Sequence, residues 1–371
     1  MTGNFTIVEF LVTKVRLKHI DRMKAIAVLC MVEVHTAAII PPKGITVGHP
    51  AAFVAAAFGG MAAPMFVTIS GWAMYNSAKN KKERNYSTKD WVNWIFPRVV
   101  ILTLSQLLVN LFLNVNNGGR FEWHTPGVLT LLAISAILAP FLIRLSLSFR
   151  VALAFILAFS PILIGEIASD QLSWFERVSS ENWLIWIERL LWNGTYPLFP
   201  WLFFSILGTI IFDLSDFPKA RDVVITIGLF TIFITIAYSL VSERIWALTN
   251  GDAILTFFPA SMPFLLVSGT IVILVMRILE GDELSGGSPR FGEKINIIEP
   301  AGRLSLTIYV CHFAVLGIVA IIVQDMPRLD LIPAFIFTIG HTIIWIPLAQ
   351  IHEKNKIRIS LENLIRIQSG R

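Results

Sequence analysis

Apolar runs of about 20 residues recur along this chain of 371 residues. Each run is long enough to cross the hydrocarbon core of a bilayer as a helix. Charged residues make up only 15% of the chain, whereas a soluble domain carries about 25%. Backbone groups in lipid must pair within the protein, and the runs are too long and too uniformly apolar for barrel strands. The sequence therefore predicts an all-α polytopic membrane protein.

The runs divide into ten predicted transmembrane helices. They lie near 22–41, 52–78, 91–113, 125–143, 149–168, 196–213, 221–241, 254–279, 301–323 and 331–351. The segments on the side of the termini then hold 24 of the 30 lysines and arginines. By the positive-inside rule, both termini are expected in the cytoplasm. This gives a cytoplasmic N-terminal segment at 1–21, a transmembrane domain at 22–351 and a cytoplasmic basic tail at 352–371.

Several site classes find no support in the sequence. Cys30 and Cys311 both lie within apolar runs, so a disulfide framework is not expected. HExxH, CxxC and Walker motifs are absent and no acidic cluster suggests a metal site, so no metal is predicted. The net charge of +5 comes from basic loops, which favours anionic ligands and membrane orientation over nucleic acid.

The polar stretch 280–294 is typical of a flexible loop.

The first predicted helix carries ionisable residues in "KAIAVLCMVEVH", which runs from Lys24 to His35. Eleven residues separate these two, which puts them within about 20° of one face and roughly 16 Å apart along the axis. One stripe thus carries a cation near the cytoplasmic side and a base near the outer side. Histidine titrates close to neutral pH, so His35 is a candidate general base.

Other polar residues near the predicted spans have two interpretations each. His49 lies in the short outer loop after the first span, within reach of the same cavity as His35, or is an ordinary loop histidine. The small residues of "GGMAAPMFVTISGW" either allow close helix packing or line a tunnel with Ser70 at its cytoplasmic mouth. His312 and His341 fall within spans, where the simpler interpretation is a neutral histidine bonded to a neighbouring polar group.

Several segments resemble the heparan-α-glucosaminide N-acetyltransferase-like branch of the integral-membrane acyltransferases. The matching segments follow the family order from residue 20 to 313. They are "IDRMKAIAVLCMVEVH", "AAPMFVTISGWAMY", "NWIFPRVVILTL", "YPLFPWLFFSILGTII" and "GRLSLTIYVCHF". In the first segment, an arginine and a histidine of the wider family correspond to Lys24 and His35.

The resemblance implies a bundle of ten or eleven helices that takes an acyl group from cytoplasmic acyl-CoA and passes it to an acceptor on the other side. It implies a catalytic histidine at His35 or His49, and leaves open which. A thioester is already activated, so the chemistry needs a base, a donor for the thioester oxygen and cations for the CoA phosphates. We expect Lys24, Ser70 and Arg98 on the CoA side.

We therefore expect an acetyl-CoA-dependent acyltransferase that modifies a sugar amine or hydroxyl on an extracytoplasmic glycan or glycolipid. An O-acyltransferase of cell-envelope polysaccharide or lipid is one alternative, and a transporter or flippase without transferase chemistry is another. Stabilisation by acyl-CoA or thioester turnover would separate an acyltransferase from a transporter. Membrane lipid is an expected partner, a homodimer is one possible assembly, and nucleic acid is not expected.

Overall fold

A computed structural model describes residues 17–46, 49–168, 172–280 and 295–369. Its helices are, in chain order, α1 (Lys18–Ile39), α2 (Pro50–Glu83), α3 (Thr88–Phe112), α4 (Val128–Leu142), α5 (Leu147–Ile164), α6 (Trp174–Val178), α7 (Trp183–Glu188), α8 (Leu198–Leu214), α9 (Pro218–Ser242), α10 (Met262–Glu280), α11 (Glu299–Arg303), α12 (Ser305–Val323), α13 (Leu331–Lys354) and α14 (Leu361–Gln368). The described part of the chain is thus almost entirely helical, as predicted.

Short irregular elements connect these helices. Single turns of 3₁₀ helix occur at Val115–Asn117, Gly165–Ala168 and Asn296–Ile298, and a π-helix at Arg189–Asn193 continues α7. Strands β1 (Ala247–Leu248) and β2 (Leu255–Thr256) pair in parallel between α9 and α10. Nearly all of the predicted loop at 280–294 and most of the predicted segment at 1–21 lie outside the described residues; Glu280 ends α10.

Seven of the described helices are long and apolar enough to cross a membrane. The number rises to eight if Trp183–Asn193 and Leu198–Leu214, bent by 48° at the break between them, form one span. Helix α4 is apolar but has only 15 residues. Helix α1 does not meet the same criterion, since it carries several ionisable residues. The count of ten spans and the cytoplasmic termini stay predictions.

The predicted span at 254–279 starts too early. Helix α10 begins at Met262, and the residues before it form β2 and a turn. The hydroxyl of Ser261 closes this turn, accepting from the Thr256 amide at 3.1 Å and donating to the Ile254 carbonyl at 3.0 Å. Pro259 has no amide proton to continue a helix. Apolar residues here form part of a wall rather than the start of a span.

Helix α2 lies at the centre of the bundle, between α1 and α8. Two glycines allow its backbone to approach α8 closely: a Cβ at Gly71 would overlap the Ser205 backbone, and a Cβ at Gly208 would overlap the Thr68 backbone. Small residues at helix interfaces in membranes allow this kind of packing. The close-packing interpretation of this segment therefore holds at Gly71.

The two outermost helices, α9 and α13, bury only 11% of their most apolar stretches within the protein. Their exposed side chains are mostly Ile, Leu, Val and Phe. In a bilayer such faces contact lipid, which is as apolar as the side chains themselves. The interior of the protein is thus built from the remaining long helices, and the polar residues that matter for function lie there.

Candidate active site

A cavity of about 440 Å³ opens where α1 ends and α2 begins. We call this end of the bundle the cavity end, and the opposite end, which holds Lys79 and Arg98, the basic end. The described lining residues of the cavity come from six long helices, the short helix α6 and three connecting segments, and most are apolar or aromatic. The polar and aromatic ones include His35, Gln106, Arg120, Trp174, Arg177, Thr195, Tyr196, Trp246, Thr249, Asn250, Ser268 and Tyr309.

His35 lines this cavity and pairs with a second histidine from α12. Nδ1 of His35 lies 2.9 Å from Nε2 of His312. The two rings are nearly parallel, with an interplanar angle of 6° and centroids 5.2 Å apart. His312 is fully buried. The pair joins residues 277 positions apart in the chain, so only the folded bundle brings them together.

The hydrogen bonds of this pair fix the tautomers of both rings. Nδ1 of His312 lies 3.1 Å from the Ile308 carbonyl, which can only accept, so His312 Nδ1 carries the proton. His312 Nε2 is then an acceptor, and His35 Nδ1 donates to it. His35 Nε2 is left as an unprotonated nitrogen. In a neutral imidazole this is the atom that can take a proton from a substrate.

Aromatic rings hold the His35 imidazole in place. The ring of Phe313 lies 4.6 Å from it, centroid to centroid, and the ring of Tyr309 lies 6.4 Å away, edge-on. Both aromatic residues are buried and both also line the cavity. They lie within one turn of His312 on α12, so a single helix supplies the hydrogen-bond acceptor and two of the packing surfaces.

A third histidine contacts α1 next to His35. Thr36 donates its hydroxyl proton to the Val32 carbonyl at 2.6 Å, so its oxygen accepts from Nδ1 of His341 at 2.8 Å. His341 lies on α13 and does not line the cavity. Its contact is the simpler type expected for a histidine within a span: a neutral ring bonded to a neighbouring hydroxyl.

Arg120, in the loop after α3, brings a positive charge to the cavity. Its guanidinium donates to the Ala38 carbonyl at 3.1 Å and packs over the Trp174 ring at 5.0 Å. The indole of Trp174 donates in turn to the Arg120 carbonyl at 2.8 Å. Burial lowers the pKa of Arg120, but the ordinary pKa of arginine is so far above neutral that the guanidinium stays charged at pH 7.

His49 does not join the histidine pair. It is the N-cap of α2, and its Nδ1 accepts from the Ala51 amide at 3.1 Å. It does not line the cavity, although Phe53 and Ala56 on the next turns do. A side chain used as an N-cap stabilises the helix start. The structure thus brings His35, and not His49, to the cavity wall, and the catalytic role of either histidine stays a prediction.

The three residues predicted on the CoA side lie away from the cavity. Lys24 is half-buried, in the first half of α1. Ser70 is half-buried, next to the close contact at Gly71. Arg98 is buried: Nη1 donates to the Trp94 carbonyl at 2.5 Å and to the Ser369 hydroxyl at 2.9 Å. Their CoA contacts stay predictions.

The basic end also holds an aromatic and cationic cluster around Trp94. The guanidinium of Arg98 lies 4.5 Å and the ammonium of Lys81 lies 5.4 Å from the centre of the Trp94 ring. Lys81 also donates to the Tyr86 hydroxyl at 2.9 Å. Cations over aromatic faces are held by the ring quadrupole. Of this cluster, Arg98 was singled out from the sequence, but the tryptophan that Arg98 and Lys81 contact was not.

Sequence reasoning named His312 but not its pairing with His35, and did not single out Arg120 or Tyr309. His312 lies three residues after Tyr309 and directly before Phe313, so α12 presents three rings on adjoining turns. This cluster of rings in the sequence could have indicated that α12 contributes to the site. Arg120 gave a weaker signal: it is one of only six lysines and arginines in the predicted outer segments.

A family model described as an acyltransferase domain matches residues 17–349. Since the match covers most of the chain, the protein belongs to this acyltransferase family. Together with the long apolar helices, this makes it an integral membrane acyltransferase. The wider part of the resemblance is thereby confirmed, while its narrower heparan-type branch stays a prediction. A comparison with curated proteins gives no match.

Proposed function

We propose that the protein transfers an acetyl group from cytoplasmic acetyl-CoA to a sugar amine or hydroxyl of an extracytoplasmic glycan or glycolipid, as enzymes of the heparan-type branch do. The proposal assumes cytoplasmic termini, with the acceptor entering at the cavity end. The observation that carries it is the unprotonated Nε2 of His35 on the wall of a cavity. An acyl acceptor needs a base at this point.

In the proposed reaction, His35 Nε2 takes the proton from the acceptor hydroxyl or amine as that group attacks the thioester carbon. The carbonyl π electrons move to oxygen and form a tetrahedral intermediate. Its collapse breaks the carbon–sulfur bond, and the CoA thiolate takes the proton from the imidazolium. The ester or amide and free CoA are the products, so protons and electrons balance. We favour this direct transfer over an acyl-histidine intermediate.

In this proposal, the acyl donor acetyl-CoA binds at the basic end. Arg98 is held against the Trp94 ring, and its Nη1 donates to the Trp94 carbonyl and to the Ser369 hydroxyl. A preorganised guanidinium binds phosphate well because its planar fork matches phosphate oxygens. Lys24 lies between this end and His35 on the same helix. These cations would hold the CoA head while the pantetheine arm reaches towards His35.

Substitution of His35 tests the proposal. With His35→Ala we expect kcat for acetyl transfer to fall by roughly 10² to 10⁴-fold, the usual contribution of a general base. Release of free CoA in the presence of an acceptor panel is the measurement. His49→Ala is the matched control, and we expect a much smaller change because the His49 side chain caps α2. Full activity in both variants would rule out the mechanism.

His312 is a positioning residue in this proposal. His312→Leu removes the acceptor for His35 Nδ1–H, so the tautomer is no longer fixed, and we expect kcat to fall by roughly 10 to 100-fold with little change in KM. His312→Gln retains a carbonyl acceptor and should recover most of the loss. A purely structural role would make both variants equally unstable in thermal unfolding and equally inactive, which would contradict the assignment.

A transporter would give a different result. Acetyl-CoA should raise the thermal unfolding temperature of the detergent-solubilised enzyme, and Arg98→Gln should reduce that rise. If acetyl-CoA neither stabilises the protein nor is consumed, the donor assignment fails and transport becomes the better interpretation.

A further inference from the structure

We infer that the acyl acceptor carries a negative charge, a carboxylate, phosphate or sulfate, which the Arg120 guanidinium binds next to the acylation site. The inference rests on the proposed function, because it names the class of substrate for that site. Two observations carry it: the charge of the described cavity wall and the incomplete pairing of Arg120.

The described lining of the cavity includes two arginines, Arg120 and Arg177, and neither an aspartate nor a glutamate. Its other described polar groups, including His35 as the neutral tautomer, carry no charge at pH 7. A cavity with mostly apolar walls screens charge poorly, so the Arg120 guanidinium strongly favours an anionic occupant.

Most N–H donors of the Arg120 guanidinium have no hydrogen-bond acceptor among the described residues. Among the described residues, its side chain donates one hydrogen bond, to the Ala38 carbonyl. The guanidinium also packs against the face of the Trp174 ring. No carboxylate of the described chain lies within ion-pair distance. A guanidinium has five N–H groups. Capping the end of α1 explains one of them, so the charge and most of the donors remain for a ligand.

The position of Arg120 indicates the acceptor rather than CoA. Ala38 follows His35 by three residues on α1, about 4.5 Å further along the axis and on an adjoining face. The step is away from Lys24 and towards the cavity end. Under the proposed function the CoA phosphates stay at the basic end, so an anion at Arg120 belongs to the molecule that arrives from the cavity side.

The test uses matched probes that differ only in charge. We would measure acetyl transfer from acetyl-CoA to methyl β-D-glucuronide and to its neutral amide, methyl β-D-glucuronamide, which has the same hydroxyl groups. Because a hydrogen bond to a charged group is worth about 1.5–3 kcal/mol, we expect kcat/KM to favour the glucuronide by roughly tenfold or more. In Arg120→Gln this ratio should fall towards one, whereas Arg120→Lys should keep part of it. Arg328→Gln, at an exposed position, should keep the full ratio.

Two outcomes overturn the inference. One is an equal rate with both probes in the wild-type enzyme. The other is a loss of rate in Arg120→Gln that is the same for both probes, because the guanidinium would then act on the reacting oxygen rather than on the acceptor's charge.

A binding measurement separates this inference from the proposed function. Thermal shifts with each glycoside, without any CoA, report acceptor binding alone. Stabilisation by the glucuronide that is lost in Arg120→Gln supports the anion site even if no acetyl transfer occurs. Transfer to both glycosides without a charge preference supports the proposed function and overturns the anion site.

Discussion

Buried arginines at the basic end and Arg120 at the cavity end have different partners. At the basic end, Arg22 donates to Glu299 at 3.0 Å, and Arg150 and Arg221 pair with Asp213 and Glu280. At the cavity end, Arg120 contacts a backbone carbonyl and an indole ring. A fully buried charge is tolerated when it is paired, so the first set can be explained by stability alone.

Polar side chains therefore have different roles at the two ends of the bundle. The ion pairs of the basic end join helix ends that are distant in sequence, such as the start of α9 to the end of α10 through Arg221 and Glu280. At the cavity end, His35 Nε2 and the Arg120 guanidinium keep hydrogen-bonding capacity for a ligand. Breaking contacts at the basic end should therefore affect stability, and changes at the cavity end should affect chemistry.

The largest effect on stability is expected at Glu280. Glu280→Ala leaves Arg221, which is 0% exposed, without its carboxylate, and breaking such a pair costs about 3–5 kcal/mol. Thermal unfolding of the solubilised protein is the measurement. Replacing both partners, as Arg221→Met with Glu280→Leu, should recover much of the loss.

The matched control for Glu280 is Asp252, which pairs with Arg244 in a loop. Its side chain is 82% exposed, and exposed pairs contribute little because water and salt screen them. Asp252→Ala should leave the unfolding temperature unchanged. A loss as large as that of Glu280→Ala would show that burial does not distinguish the two pairs.

A feature could be predicted from the sequence when the residues that determine it lie close together in the chain. Helix α1 and the shared face of Lys24 and His35 follow from local spacing, and both could be predicted. The pairing of His35 with His312 could not, because it depends on how helices at opposite ends of the chain pack. The region before Met262 misled the prediction, since Phe257 and Phe258 look like membrane residues but line the cavity.

An intermediate effect is expected within α2, which extends between both ends. A Cβ at Gly71 would overlap the Ser205 backbone, so Gly71→Ala forces α2 and α8 apart and should cost about 1–3 kcal/mol in thermal unfolding, as overpacking does. At Gly60, near the cavity, a Cβ meets nothing within 4 Å. Gly60→Ala should therefore keep or slightly raise the unfolding temperature. Equal losses in both variants would contradict the packing argument.

The smallest effect is expected at Glu362, where the C-terminal helix joins the basic end. Its carboxylate accepts from the amides of Leu306 and Thr307 at 2.6 and 3.1 Å, and so caps the start of α12. Glu362→Ala should cost about 1 kcal/mol, the usual value of a lost cap. Faster hydrogen exchange at the Leu306 amide is the sharper measurement. Arg366→Ala, an exposed change in the same helix, should not affect that exchange; if it does, the change reports loosening of α14 rather than loss of the cap.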